Sequence, residues 1–453
     1  MQITFLGATE TVTGSKYLLS FDNGKNILLD CGLFQGEKEL RLRNWSALPF
    51  DPKILNAVIL THAHIDHTGY LPLLVKNGFK GPIFCTQGTK DLCDILLPDS
   101  AHLQEEDAKH ANSHHYSKHA PALPLYTIKD ARKALKLFRP QPYNSIVELI
   151  KGVNFQFIPA GHIIGASLVR IQSEGKSILF TGDLGRMNDP VMQAPTPMQQ
   201  TDYLVTESTY GDRLHEEDHP KNILKCIIDQ TYKRGGTVLI PAFAVGRTQT
   251  ILHYLSELKK ENALPDIPIY LDSPMAINAT NVLSKHIEDL RLNKAQCEEL
   301  CNIATYVRSS EESILIDNQK DPKIIISASG MASGGRILFH LRAYASDARN
   351  TVLFTGFQAK GTRGADMLNG IKQIKIHGDL IPINAQIESI RSTSAHADYA
   401  EILQWLKHFD TPPIKTFITH GEPEAALSLK TKIETELGWN CTVPLYKQTE
   451  QLT

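Results

Sequence analysis

The segment that most constrains this chain is Thr61-His62-Ala63-His64-Ile65-Asp66-His67, which directly follows the apolar run Ala57-Val58-Ile59-Leu60. Three imidazoles and a carboxylate this close together gain little from packing, because a buried histidine loses solvation and an exposed one contributes almost nothing. Neutral imidazole nitrogens and carboxylate oxygens are, however, the donors that zinc and similar borderline cations take. Residues two apart in an extended segment point the same way, so His62 and His64 can grip one ion. Asp66 and His67 are adjacent and cannot share that face. The chain must turn there, and a second ion beside the first is the natural use for them. The fold therefore has to end an apolar strand at a metal site, and the expected class is a metal-dependent hydrolase.

A chain of 453 residues has room for two domains of ordinary size. A hydrophobic fraction of 42% and a charged fraction of 21% are those of a globular protein. No apolar run is long enough to span a bilayer, so no membrane partner is expected. The start, Met1 to Gly7, reads as a first strand without a basic leader, which predicts a cytoplasmic protein. The seven cysteines are scattered and form no Cys-x-x-Cys pair, consistent with a reducing compartment. Cys297 and Cys301, one helical turn apart, read as buried thiols. A net charge of −2 gives no general support for nucleic-acid binding, so a polyanion would have to be met by a few placed cations.

Short apolar strands alternate with amphipathic helices almost throughout, the pattern of an α/β protein. Strands are predicted at 26–30, 237–240, 267–271, 323–326 and 351–355, and helices at 70–76, from about 247, and at 125–138 with Thr127 as N-cap. Glu174-Gly175 between two apolar runs signals a hairpin. His110, His114, His115 and His119 lie in a polar helical stretch and read as a solvated face rather than a metal site. Histidine-rich loops at both ends, with a different motif style between them, point to one domain interrupted by an insertion.

Further donors stand at strand ends: His162 in Pro159-Ala160-Gly161-His162, Asp183 after Phe180-Thr181-Gly182, and His420 after Phe417-Ile418-Thr419. Asp30, the His62–His67 run, His162 and Asp183, in that order, resemble the metallo-β-lactamase fold, an αββα sandwich. Glu207, Ser394-Ala395-His396-Ala397-Asp398 and Thr419-His420-Gly421-Glu422 resemble the β-CASP family of RNA-processing nucleases. So do Pro241-Ala242-Phe243-Ala244-Val245-Gly246-Arg247, Asp272-Ser273-Pro274-Met275-Ala276 and Ser327-Ala328-Ser329-Gly330-Met331. The likeness is to the catalytic subunit of the pre-mRNA 3′-end cleavage machinery and its prokaryotic relatives. It implies an inserted α/β domain at 209–391, between metallo-β-lactamase parts at 1–208 and 392–453.

The resemblance also implies two zinc ions. His62, His64, His162 and Asp183 would hold the first, and Asp66, His67, His420 and the bridging Asp183 the second, where manganese is also compatible. Asp30 would orient a ligand imidazole. A water shared by two metals about 3.5–4 Å apart can be acidified and attack phosphorus in line. His396, paired with Glu207, would protonate the leaving oxygen. The implied function is a ribonuclease that cleaves single-stranded RNA to 5′-phosphate and 3′-hydroxyl ends, as an endonuclease or a 5′-exonuclease. His420 favours RNA over DNA, and relatives that pair suggest a homodimer. Arg247, Ser329, Gly330, Arg336, Lys360 and Arg363 are the candidate phosphate contacts on the insertion. The alternatives are a lactone or thioester hydrolase of the same superfamily and a catalytically inactive RNA-processing scaffold.

Overall fold

A computed structural model describes residues 1–114, 119–216, 218–356, 358 and 361–453. Two compact units emerge. One comprises Met1–Asn188, Gln193–Leu214 and His396–Thr453; the other comprises Asp189–Met192 and His215–Ala395.

The first unit holds two seven-stranded sheets. One runs in the order Thr449–Gln451, Gln2–Phe5, Tyr17–Ser20, Asn26–Leu29, Ala57–Ile59, Ile83–Cys85, Phe138–Pro140. The other runs Cys441–Thr442, Lys415–Ile418, Tyr203–Thr206, Lys176–Phe180, Ser167–Ser173, Val153–Pro159, Val147–Ile150. Period-2 alternation sends one face of each sheet inward. Ile3, Phe5, Tyr17, Leu19, Ile27 and Leu29 of the first sheet share one buried core with Phe155, Phe157, Val169, Ile171, Phe180 and Phe417 of the second. Rings meet across it, Phe5 on Phe417 at 5.1 Å and Tyr17 on Phe180 at 5.6 Å.

Strand direction decides where the loops go. Asn26–Leu29 and Ala57–Ile59 are parallel, as are Lys176–Phe180, Tyr203–Thr206 and Lys415–Ile418. Val153–Pro159 reaches Lys176–Phe180 through two antiparallel pairings, which restores the same direction. The loops after these strands carry Asp30, the histidine run, His162, Asp183, Glu207 and His420. In each sheet they leave at the carboxyl ends of strands that run the same way, where sites form in open α/β sheets.

The helix at Ile128–Leu135 is closed at its start by a reciprocal cap between Thr127 and Asp130. The hairpin turns at Glu174-Gly175, both with positive φ (55° and 77°). The long helix Gln87–Ser113 ends earlier than the histidine pattern suggests: His114 caps it, His119 lies beyond it in irregular chain, and His115 falls outside the described residues. The His110 and His114 rings stack one helical turn apart, at 4.0 Å. No described helix is long and apolar enough to cross a membrane.

The second unit is built on a six-stranded parallel sheet, ordered Thr305–Tyr306, Ile269–Leu271, Ile324–Ser327, Val238–Pro241, Thr351–Thr355, Gln386–Ile390. Central strands such as Ile324–Ser327 are buried at every position, as expected of a parallel sheet covered on both faces. Asp272, at the end of Ile269–Leu271, anchors a buried ionic network. Its Oδ1 accepts from Arg336 Nη1 at 2.6 Å, its Oδ2 lies 2.9 Å from His340 Nε2, and His340 Nδ1 lies 2.7 Å from Asp317 Oδ1.

Burial would lower the His340 pKa, but the two flanking carboxylates outweigh it and raise it to about 9. An unfolded histidine titrates near 6.5. Because the folded value is the higher one, the stabilisation is complete below pH 6.5 and is lost as pH rises through 9. We expect the second unit to lose on the order of 3 kcal/mol between pH 6.5 and 9.5 through this residue alone. Denaturant unfolding across that range checks it: the slope with pH should flatten in a His340→Gln variant.

Candidate metal centre

The strand Ala57–Ile59 delivers Thr61 and His62 into a loop, and the short helix Ile65–Thr68 starts at once, with His64 at its N-cap. This is the turn that separates the pair His62 and His64 from the pair Asp66 and His67. His62 Nε2 lies 3.1 Å from His64 Nδ1 and 3.3 Å from Asp183 Oδ2. His162 Nε2 lies 3.3 Å from His64 Nδ1 and 3.5 Å from the same Asp183 oxygen. The other Asp183 oxygen, Oδ1, faces His67 Nε2 at 3.2 Å. His67 Nε2 is in turn 3.0 Å from His420 Nε2, and that nitrogen is 3.4 Å from Asp66 Oδ2. Two donor sets result, His62-His64-His162-Asp183 and Asp66-His67-His420, with Asp183 presenting one oxygen to each.

The chemistry of these donors fits metal ions. Asp183 Oδ1 is buried and accepts no hydrogen bond, an expensive state for a carboxylate without a cation. Burial, reinforced by neighbouring imidazoles, lowers the pKa of His62 to about 3 and pushes that of His162 well below the usual histidine value; burial lowers that of His64 too. Each shift favours the neutral imidazole, the form that ligates. His67 behaves oppositely. Burial would lower its pKa, yet Asp183, Asp30 and Asp66 raise it well above the usual value. That pocket is acidic enough to hold a positive charge, supplied by a proton or by a metal.

Hydrogen bonds outside the donors fix their orientation. Asp30 Oδ2 accepts from His67 Nδ1 at 2.7 Å and from the Thr61 hydroxyl at 2.9 Å, while Oδ1 accepts from the Thr61 backbone N–H at 2.8 Å. His67 is thereby left with Nε2 toward Asp183, the tautomer a metal ligand needs. Asp30 (φ 54°) and His420 (φ 50°) both adopt the left-handed backbone region. It is uncommon for residues with a Cβ and is concentrated at functional sites. Gly182, with φ 54°, brings the chain so near Thr61 that a Cβ would lie 2.7 Å from that side chain, which fixes where Asp183 begins.

Beside the donors, His396 Nδ1 lies 3.1 Å from both Glu207 oxygens, and its Nε2 is 4.0 Å from Asp183 Oδ2. Glu207 is itself buried and fixed by the N–H groups of Leu184 (2.6 Å) and Thr209 (3.3 Å). Burial would lower the His396 pKa, but Glu207 and then Asp183 outweigh it and raise it to about 9. Sequence reasoning overlooked Thr61, Thr209 and Tyr17. The Thr209 hydroxyl lies 3.2 Å from His420 Nδ1, and the Tyr17 hydroxyl 3.0 Å from that of Thr419. Their only signal is adjacency to a ligand, in sequence or across a sheet.

The candidate phosphate contacts all belong to the second unit. Arg336 is engaged by Asp272 and by the carbonyls of Val307 and Arg308, and Arg363 by the carbonyls of Lys375, Ala332 and Ser333. Arg336 thus ties the end of the 327–336 loop to Asp272 and the 307–308 chain, and Arg363 ties Ala332 and Ser333 to Lys375. Arg247 reaches the Thr393 hydroxyl and packs against Gly356. Ser329 Oγ accepts from the Ser333 N–H at 3.0 Å, and the Gly330 carbonyl accepts from Gln358 at 3.1 Å. Lys360 lies outside the described residues.

Known families match nearly end to end. The metallo-beta-lactamase superfamily matches residues 11–223, the Beta-Casp domain residues 248–367, and the Zn-dependent metallo-hydrolase RNA specificity domain residues 380–444. The chain is 35% identical over 437 residues to Ribonuclease TTHA0252 of Thermus thermophilus, covering 95% of each. It is 31% identical over 466 residues to Transcription termination factor FttA of Methanosarcina mazei, covering 96% of this chain and 70% of that protein. It is 32% identical over 412 residues to the RNase J-like protein of Methanocaldococcus jannaschii, covering 90% and 89%. A solved protein of unknown function from Enterococcus faecalis V583 shares the fold, with a TM-score of 0.55, 13% identity and 99% of each chain covered. The two donor clusters, the aspartate between them and these matches agree, and the chain belongs to the β-CASP family of the metallo-β-lactamase superfamily.

Proposed function

We propose that this protein is a two-zinc ribonuclease that hydrolyses single-stranded RNA to 5′-phosphate and 3′-hydroxyl ends. The observation that carries the reading is Asp183, whose two oxygens face two separate donor sets while its own edge is approached by His396. His62, His64, His162 and Asp183 would hold one ion, and Asp66, His67, His420 and Asp183 the other. Zinc bound there would acidify a water and offset charge on the phosphoryl oxygens.

The chain's own residues supply the rest. Asp30 and Thr209 keep His67 and His420 aimed. Glu207 holds His396 by Nδ1 and favours the imidazolium, so that Nε2 carries a proton toward the Asp183 edge. That proton goes to the departing 3′-oxygen as the P–O3′ bond breaks. Because the attacking oxygen comes from water, the phosphate stays on the 5′ end of the downstream fragment. An RNA substrate is supported by the match of residues 380–444 to an RNA specificity domain and by the names of the relatives.

The test is to incubate zinc-loaded protein with end-labelled single-stranded RNA and to analyse the ends. The downstream product should be a substrate for a 5′-monophosphate-dependent exonuclease. A 2′,3′-cyclic phosphate product would refute hydrolysis by water. Turnover of a lactone or thioester with no action on RNA would replace the substrate class.

A further inference from the structure

We infer that the surface formed by Arg43, Trp45, Tyr446 and Lys447 is a stacking platform for single-stranded RNA, beside the metal-bearing loops of the first unit. The inference rests on the ribonuclease reading and adds a binding site to it.

The segment after Asp30 behaves unlike a packing element. Its helix, Lys38–Arg43, buries none of its residues. A surface helix normally exists to bury an apolar stripe. This one is instead held at its C-terminal end: buried Asn44 accepts from the Phe34 N–H at 2.9 Å and donates to the Phe34 carbonyl at 2.8 Å. It displays Trp45, 59% exposed, in a chain whose other two tryptophans, Trp405 and Trp439, are buried.

Cations and rings interleave beside it. The buried Lys16 ammonium sits 4.6 Å from the Phe34 ring centre. The Arg43 guanidinium lies 5.4 Å from Phe34 and 4.7 Å from Tyr446, and Lys447 lies 5.3 Å from Tyr446. Phe34 and Tyr446 meet edge to face at 6.3 Å. Among the described residues, no carboxylate lies within ion-pair distance of Arg43 or Lys447. Phe34 and Lys16 are buried beneath, so the surface offers Arg43, Tyr446 and Lys447, with the exposed indole of Trp45 two residues along the chain from Arg43; these match what unpaired bases and a phosphate backbone require.

Both halves of the platform are tied to ligand loops. Cys31 and Leu33 donate to the carbonyls of His67 (2.7 Å) and Ile65 (3.0 Å), and Gly32 lies where a Cβ would clash with the Asp66 carbonyl. The Lys447 backbone N–H donates to the Phe5 carbonyl at 2.7 Å, and the His420 backbone N–H donates to the Ala8 carbonyl at 2.7 Å. A strand of RNA held here would be held by the same backbone that carries Asp66, His67 and His420.

The test uses full-length, zinc-loaded His396→Ala protein, to prevent cleavage, titrated with a 12-nucleotide oligouridylate. Binding should quench Trp45 emission and shield it from iodide, a response absent from Trp45→Phe. Trp45→Ala should weaken binding by about tenfold or more with an unchanged salt slope. Arg43→Ala should also weaken binding and flatten the dependence of log Kd on log salt by about 0.7. Unchanged zinc content and circular dichroism would show that both variants fold. Affinities within twofold of the parent would overturn the platform and leave the ribonuclease reading intact. Failure of the active parent to bind or cleave RNA would remove that reading instead. Self-association abolished by Trp45→Ala, with RNA affinity unchanged, would reassign the patch to a second copy of the chain and also overturn the platform.

Discussion

Replacing Asp183 with alanine should lower RNA cleavage by on the order of 10⁴-fold, equivalent to about 5–6 kcal/mol of lost transition-state stabilisation. Asp183 faces both donor sets, with Oδ2 toward His62 and His162 and Oδ1 toward His67. Without it the first set becomes three neutral imidazoles, and the second keeps Asp66 as its only carboxylate. Both would bind zinc more weakly. Elemental analysis of freshly purified protein should therefore fall from two zinc ions per chain to one or fewer. Asp183→Asn should retain more metal than Asp183→Ala, because the amide oxygen can still ligate on one side. Cleavage of end-labelled RNA at the parent rate by the alanine variant would exclude a shared carboxylate from the mechanism.

Legibility in the sequence divided along a physical line. The clustering of His62, His64, Asp66, His67, His162, Asp183 and His420 could be anticipated because most of them stand at or just beyond the end of a short apolar strand and because histidine there has no packing purpose. The Thr127 cap and the Glu174-Gly175 hairpin could be read because their hydrogen bonds are local. What could not be read depends on partners distant in sequence. The bonds of Arg336 to Asp272 and the Val307 and Arg308 carbonyls, and of Arg363 to the Ala332, Ser333 and Lys375 carbonyls, are of this kind. His340 carries no motif, yet Asp272 and Asp317, 68 and 23 residues away, make it a buried cation. Trp45 drew no attention, because only the folded chain shows that the helix before it buries nothing. The ends of the histidine-bearing strands converge through parallel pairing, a property of topology that no single strand encodes.

The second large effect concerns the proton. His396→Ala should keep both zinc ions and lose about 10²–10⁴-fold in kcat on RNA. Its Nε2 is 4.0 Å from Asp183; it lies outside the His62-His64-His162-Asp183 and Asp66-His67-His420 sets and clusters instead with Asp183 and Glu207. The loss should depend on the leaving group. A 3′-alkoxide needs a proton to depart, whereas p-nitrophenolate does not, so bis(p-nitrophenyl) phosphate should suffer far less than RNA. Glu207→Gln separates the roles further. Glu207 is the largest influence raising the His396 pKa against burial, and the amide removes that charge while keeping an oxygen to accept from Nδ1. A group with a raised pKa is protonated below it, so the alkaline limb of the kcat profile should move to lower pH in the glutamine variant. Equal losses on RNA and on the nitrophenyl ester, with an unmoved alkaline limb, would show that His396 serves to position substrate or metal rather than to deliver the proton.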